Sequence, residues 1–208
     1  MNKWEYNEVY KKYDMTGNIK IGTGIVKVHN IFDKLPKFML QADCLFCDPP
    51  CSLGNINTFY TKAERNDYQS SYLPFVNRFF ECIDEIKPHK VFIEVFKTNK
   101  ELFIEKLSQR YKYTFIYSSK YYNNSKNKCW IIQAQNEPII PFDIDGKDEE
   151  KIIQFICKNI DYNCIADLCM GRGLVGYYSN MYNKKFVGTE LNLKRLAVLL
   201  KRIKENKK

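Results

Sequence analysis

Apolar positions along this chain switch repeatedly between a spacing of two and a spacing of three to four, which predicts alternating strands and helices. Gly24 to Asn30 reads as a strand, and Ala42 to Cys47 as a second that stops at Asp48-Pro49-Pro50. From about Tyr72 to Ile86, Phe75, Phe79, Phe80 and Ile83 recur at helical spacing. Lys90 to Phe96 is a third strand and Lys100 to Tyr111 a helix. Tyr113–Tyr117 and Cys129–Ala134 read as strands joined by the polar segment Tyr121 to Lys128, the pattern of an antiparallel hairpin. Helix Glu149–Asn159, strand Cys164–Leu168, helix Leu174–Tyr182, strand Lys185–Thr189 and helix Asn192 to about Lys204 complete the order. Such alternation implies an α/β fold: a three-layer, Rossmann-like, mostly parallel sheet with one antiparallel hairpin.

Segments 52–70 and 137–148 lack clear periodicity and read as substrate or cofactor loops, since loops of that length commonly carry function. The opening arm, 1–20, carries Trp4, Tyr6, Tyr10 and Tyr13, expected to pack or to form a dimer contact rather than to stack on bases. A chain of 208 residues suits a single domain, 1–208. An apolar fraction of 45% and a charged fraction of 27% match a folded globule. With no apolar run of about 18 residues and no signal core after Met1-Asn2-Lys3-Trp4-Glu5, a cytoplasmic, non-membrane protein is expected. The net charge of +9, densest from Lys184 to Lys208, suits a polyanionic partner, although basic residues in a last helix also complement its dipole.

Eight cysteines in such a setting do not suggest a disulfide framework. Cys44, Cys47 and Cys51 have a spacing that can bind zinc. Residues three apart on a strand face opposite sides, however, and no further ligands lie nearby, so no metal is expected.

Two motifs carry chemistry. Asp167 ends a strand, and Gly171-x-Gly173-x-x-Gly176 opens the next helix, with Glu190 closing the following strand. Glycines there allow close backbone approach to a ligand, and an acidic residue after the second strand can accept ribose hydroxyls. A dinucleotide-binding unit has the same signature. Too few residues remain after Gly176 for the further βα units that it needs, and Asp-Pro-Pro has no role in hydride transfer. The second motif is Asp48-Pro49-Pro50. An exocyclic amine on a nucleobase is a weak nucleophile, because its lone pair is delocalised into the ring. Methylating it requires acceptors for both N–H hydrogens, which the Asp48 carboxylate and the Pro49 carbonyl offer.

With these residues the chain resembles the S-adenosyl-L-methionine-dependent DNA amino-methyltransferases of adenine N6 and cytosine N4, in the group whose Asp-Pro-Pro motif precedes the glycine loop. The resemblance runs from about Gly24 to the end. It implies a circularly permuted methyltransferase fold, with strands Ile25–Val28 and Lys185–Thr189 as neighbours. It implies that Asp48, Pro49 and Pro50 are catalytic. Asn30, Asp48, Asp167, Gly171, Gly173, Glu190 and Asn192 would hold the cofactor, and Lys147 would stand at the entry of the helix that holds its methionine end. Position 51 departs from the pattern: Cys51 stands where the family has an aromatic residue that stacks on the extruded base, a part Phe59 or Tyr60 could take instead. Asp rather than Ser at position 48 favours adenine N6. DNA is the expected partner and RNA the alternative, with a second copy or a partner subunit supplying recognition that the short loops lack. A protein that keeps the fold and has lost turnover is the reading from a different class.

Overall fold

The computed structural model describes residues 7–205 apart from 122, 123 and 125. Trp4 and Tyr6 lie outside the described residues. The strands are β1 (Ile19–Ile21), β2 (Gly24–Val28), β3 (Cys44–Cys47), β4 (Lys90–Val95), β5 (Tyr113–Lys120), β6 (Lys128–Gln135), β7 (Cys164–Asp167) and β8 (Lys185–Glu190). The helices are α1 (Leu53–Lys62), α2 (Leu73–Ile86), α3 (Lys100–Ser108), α4 (Glu149–Asn159), α5 (Leu174–Met181) and α6 (Leu193–Glu205). All the strands form one sheet in the order β1-β2-β8-β7-β3-β4-β6-β5. From β2 to β4 the neighbours are parallel, whereas β6 runs antiparallel to both β4 and β5. Strands β2 and β8 pair in parallel, Ile25 opposite Val187, so the expected adjacency of these distant segments holds.

Strand side chains point alternately to the two faces, and the core divides accordingly. Leu45, Cys47, Val91, Ile93, Ala166 and Val187 meet α1, α2 and α3 on one face. Cys44, Phe46, Phe92, Ile165 and Phe186 meet α4, α5 and α6 on the other. Cys44 and Cys47 are thus separated by the sheet, as their spacing in a strand requires.

Local sequence explains the helix ends. Pro74 sits in the first turn of α2, where its missing N–H costs nothing, and Lys87 in a left-handed conformation ends that helix. The Asp148 side chain caps α4 by accepting from the Glu150 N–H at 3.1 Å. Asn192 does the same for α6, accepting from Lys194 N–H at 2.8 Å. On β8, the Phe186 ring is wedged between glycines: a Cβ on Gly24 would lie 2.5 Å from it and one on Gly176 2.7 Å.

Three expectations need correction. Segment 52–70 is not all loop, because α1 fills its first half. Its Gly54, Asn55, Asn57 and Thr58 are weak helix formers, so the helix depends on tertiary packing of Ile56 and Tyr60 and on a Ser52 cap. The sheet also has a second antiparallel edge pair, because Gly22 at φ +55 turns β1 back onto β2. The basic C-terminal residues are partly engaged inside the molecule. Lys184 donates to the Ile160 carbonyl at 2.7 Å, Lys194 pairs with Glu64, and the Arg202 guanidinium lies 3.7 Å above the Tyr177 ring. The arm residues Tyr10 and Tyr13 lie beneath Lys194 and Lys204, at 5.6 and 4.3 Å, and so pack on α6.

Candidate active site

Strands β3 and β7 are parallel neighbours, pairing Cys44 with Ile165 and Leu45 with Ala166. Asp48 and Asp167, far apart in sequence, therefore leave the sheet side by side. The Leu168 N–H donates to Cys47 Sγ at 3.1 Å and stitches the two strand ends together. Open α/β sheets bind ligands at the carboxyl ends of their strands. A cavity of about 530 Å³ opens there, with Asn30, Asp48, Glu94, Asp167, Gly171 and Glu190 in its wall.

The Asp-Pro-Pro segment is held from behind. The Pro50 carbonyl accepts from the Tyr72 hydroxyl at 2.7 Å, and that hydroxyl accepts from Asn99 Nδ2 at 3.2 Å. Asn99, itself buried, accepts from the Phe96 N–H at 2.9 Å, which ties the ends of β3 and β4 to one side chain. Asp48 faces the cavity, where burial raises its carboxyl to about 7 against the lowering effects of the Tyr121 hydroxyl and Arg195. The Tyr121 hydroxyl stands 3.4 Å from Asp48 Oδ2. Cys51, also on the wall, donates its thiol to Asn55 Oδ1 at 2.8 Å.

The glycine loop is built for close approach. Gly171 and Gly173 have φ of +54 and +76, conformations that side chains disfavour. A Cβ on Gly173 would lie 2.7 Å from Leu199, whereas one on Gly171 would meet nothing nearer than 4.0 Å. Gly173 is therefore needed for packing against α6, and Gly171 presents bare backbone to the cavity. The Gly171 N–H donates to Glu190 Oε2 at 2.6 Å, and Glu190 Oε1 accepts from the Asn192 N–H at 2.9 Å. Asp167 accepts from the Cys169 N–H at 3.0 Å, but burial pushes its carboxyl up to about 8. Burial raises Glu190 as well, with Arg195 opposing it.

Across the β2–β8 pair from Glu190, Asn30 Oδ1 accepts from the Tyr60 hydroxyl at 2.8 Å and from the Phe32 N–H at 3.2 Å. Asn30 Nδ2 donates to Asp67 at 3.3 Å, and Arg65 holds Asp67 through two contacts of 2.9 Å.

The fold thus brings Asn30, Asp48, Pro49, Pro50, Cys51, Phe59, Tyr60, Asp167, Gly171 and Glu190 to one cavity. Gly173 and Asn192 stand just behind it, Asn192 as the α6 cap with its Nδ2 on the Lys62 carbonyl at 2.8 Å. Lys147 is not brought in: its ammonium turns to Asp143, at the carbonyl and at 3.5 Å from the carboxylate. Phe59 lies under the Arg195 guanidinium at 4.5 Å, and the Tyr60 hydroxyl is engaged by Asn30. An aromatic pair stands beside Asp48 as well, Tyr121 and Phe96, edge to face at 5.2 Å, and pattern reading missed it. Their only sequence signal is position: one follows β4 directly, the other follows β5 at the tip of the hairpin.

No family model and no curated protein sequence matches the chain. Solved structures do. The complex of M1.HpyAVI with SAM superposes with a TM-score of 0.56 at 10% identity, covering 78% of this chain and 89% of that one. TTHA0409, a putative DNA modification methylase from Thermus thermophilus complexed with S-adenosyl-L-methionine, gives 0.57 at 10% identity over 80% and 86%. The cytosine-N4-specific PvuII DNA methyltransferase gives 0.55 at 10% identity over 89% and 91%. At this identity the likeness concerns the backbone: the chain has the three-layer α/β fold of these solved structures.

Proposed function

We propose that this chain is an S-adenosylmethionine-dependent methyltransferase acting on an exocyclic amino group of a nucleobase, with adenine N6 in DNA as the first substrate. One observation carries the reading: strand order sets Asp48-Pro49-Pro50 beside the Asp167–Gly173 loop in the wall of a single cavity. The adjacency of β2 and β8 supports a circular permutation of the usual methyltransferase order. Two of the structural neighbours are DNA methylases by name, one of them specific for cytosine N4, and M1.HpyAVI and TTHA0409 are solved with this cofactor.

The residues fit the cofactor. Bare backbone at Gly171 and the second lone pairs of Glu190 suit a ribose, and the Asn30–Tyr60 pair forms the wall at that end. Bound S-adenosylmethionine supplies a methyl group on a positively charged sulfur. What this chain contributes is positioning: Asp48 and the Pro49 carbonyl take the two amine hydrogens, so that the nitrogen lone pair turns toward the methyl group. Phe96 and Tyr121 offer the base the ring surface that Cys51 cannot.

The test is transfer of labelled methyl to duplex DNA, single-stranded DNA and RNA, with nucleoside analysis and an Asp48→Ala control. N6-methyladenine that vanishes in the control supports the reading, and the best polymer names the substrate class. Cys51 in the aromatic position favours one second reading, a nucleic-acid-binding subunit without turnover. Cofactor binding with no transfer to any polymer would select it.

A further inference from the structure

Glu94 has no part in the chemistry above, yet it is the most enclosed acid in the cavity wall, 1% exposed on the central strand β4. Its neighbours Ile93 and Val95 point to the α2 face, so Glu94 points to the α4 face. There its carboxylate, the Cys129 thiol and the Glu149 carboxylate at the start of α4 lie within 4.8 Å of one another. Glu94 Oε1 is buried without a hydrogen-bond partner in the protein. A buried polar atom without a partner is costly, and one in a cavity wall is a place where an incoming polar group gains most. Asp48 and Glu149 add their negative charge to the same spot, and burial with these two charges holds the Glu94 carboxyl well above the usual range. A cation with its own hydrogens answers both needs at once.

A metal answers less well. Burial beside the Glu94 carboxyl keeps the Cys129 thiol protonated, whereas a metal requires the thiolate. Phe46, Ile153 and Met170 in the same wall suit a short aliphatic stem behind the charged group.

We propose that Glu94, with Glu149 beside it, receives the α-ammonium group of the cofactor's amino-acid tail. The proposal rests on the cofactor reading above and assigns a residue to one end of it. Calorimetric titration tests it with S-adenosylhomocysteine, which has the tail, and 5′-methylthioadenosine, which has the nucleoside and sulfur without it. Glu94→Gln keeps the shape and removes the charge. A charge-assisted hydrogen bond lost in a buried site predicts roughly tenfold weaker binding of S-adenosylhomocysteine, with methylthioadenosine unchanged. Glu149→Gln, in case the first variant folds poorly, moves the same ligand in the same direction. Equal affinities of wild type and both variants for S-adenosylhomocysteine would overturn the assignment, as would equal weakening of both ligands. Zinc binding that is lost in Cys129→Ser would overturn it in favour of a metal. Wild-type protein that binds neither nucleoside would remove the cofactor reading itself, an outcome separate from the others.

Discussion

The two ends of the cavity are built on opposite principles. At the Asn30 end the polar groups already have partners: Asn30 meets Tyr60, Phe32 and Asp67, and Glu190 meets two backbone N–H groups. At the Asp48 end three acids crowd together, Glu94 Oε1 is buried without a partner in the protein, and burial raises Asp48, Glu94 and Asp167. The first end is preorganised for a neutral polar ligand and changes little on binding. The second holds carboxyls that burial keeps partly protonated and that an incoming cation would ionise. A ligand with a nucleoside at one end and positive charge at the other matches both.

The most severe way to break the contrast is Asp48→Ala. Loss of a positioned acceptor at the reacting nitrogen should lower the methyl-transfer rate by about 10²–10³-fold. Thermal stability should hold or rise, because a poorly solvated acid is removed; calorimetry beside the rate assay checks both.

Glu190→Ala attacks the preorganised end. Two backbone N–H groups lose a charged acceptor, so nucleoside affinity should fall by at least about tenfold and the fold should lose about 1–3 kcal/mol, measured by titration and denaturant unfolding.

Raising the pH sharpens the contrast without mutation. Asp48 and Asp167 titrate near 7 and 8 in the free protein, and a bound cation favours their ionised forms. Cofactor affinity should therefore climb from pH 6 to about 8 and then level off, with proton release on binding below pH 8. The free protein should respond in the opposite sense. Carboxyls whose folded pKa lies above the unfolded value add stability that is complete below about pH 4 and is lost as pH rises through 7 to 8. Melting temperatures across this range, with and without ligand, should diverge as pH rises.

Tyr60→Phe is the mildest test. It removes one neutral hydrogen bond to Asn30, and about 1 kcal/mol of stability should go with it, with a small change in nucleoside affinity.

Both halves of the contrast were partly legible beforehand. The motifs at Asp48 and Gly171 can be read because each stops an apolar run, and strand ends in an α/β sheet face the crevice. Glu94 carries a signal too, an acid inside the apolar run Val91-Phe92-Ile93-Glu94-Val95, which periodicity treats as one more strand residue. Tyr121 and Phe96 could not be paired from the sequence, because α3 and the whole of β5 lie between them and the length of β5 sets where Tyr121 falls. Helix α1 hides among weak helix formers, since tertiary burial outweighs propensity there. Lys147 and Asn192 sit at the right places in the sequence and point elsewhere: one turns to Asp143, the other caps α6.

The Phe186 wedge links an outlying position to the helix behind the glycine loop. Gly24 on β2 and Gly176 in the helix behind the glycine loop touch the same ring from opposite sides. A methyl group added at Gly24 drives the ring toward Gly176, and the displacement passes along the first turn of α5 to Gly171. On the cofactor reading, Gly24→Ala should therefore weaken nucleoside binding although Gly24 itself is not in the cavity wall, which titration would show.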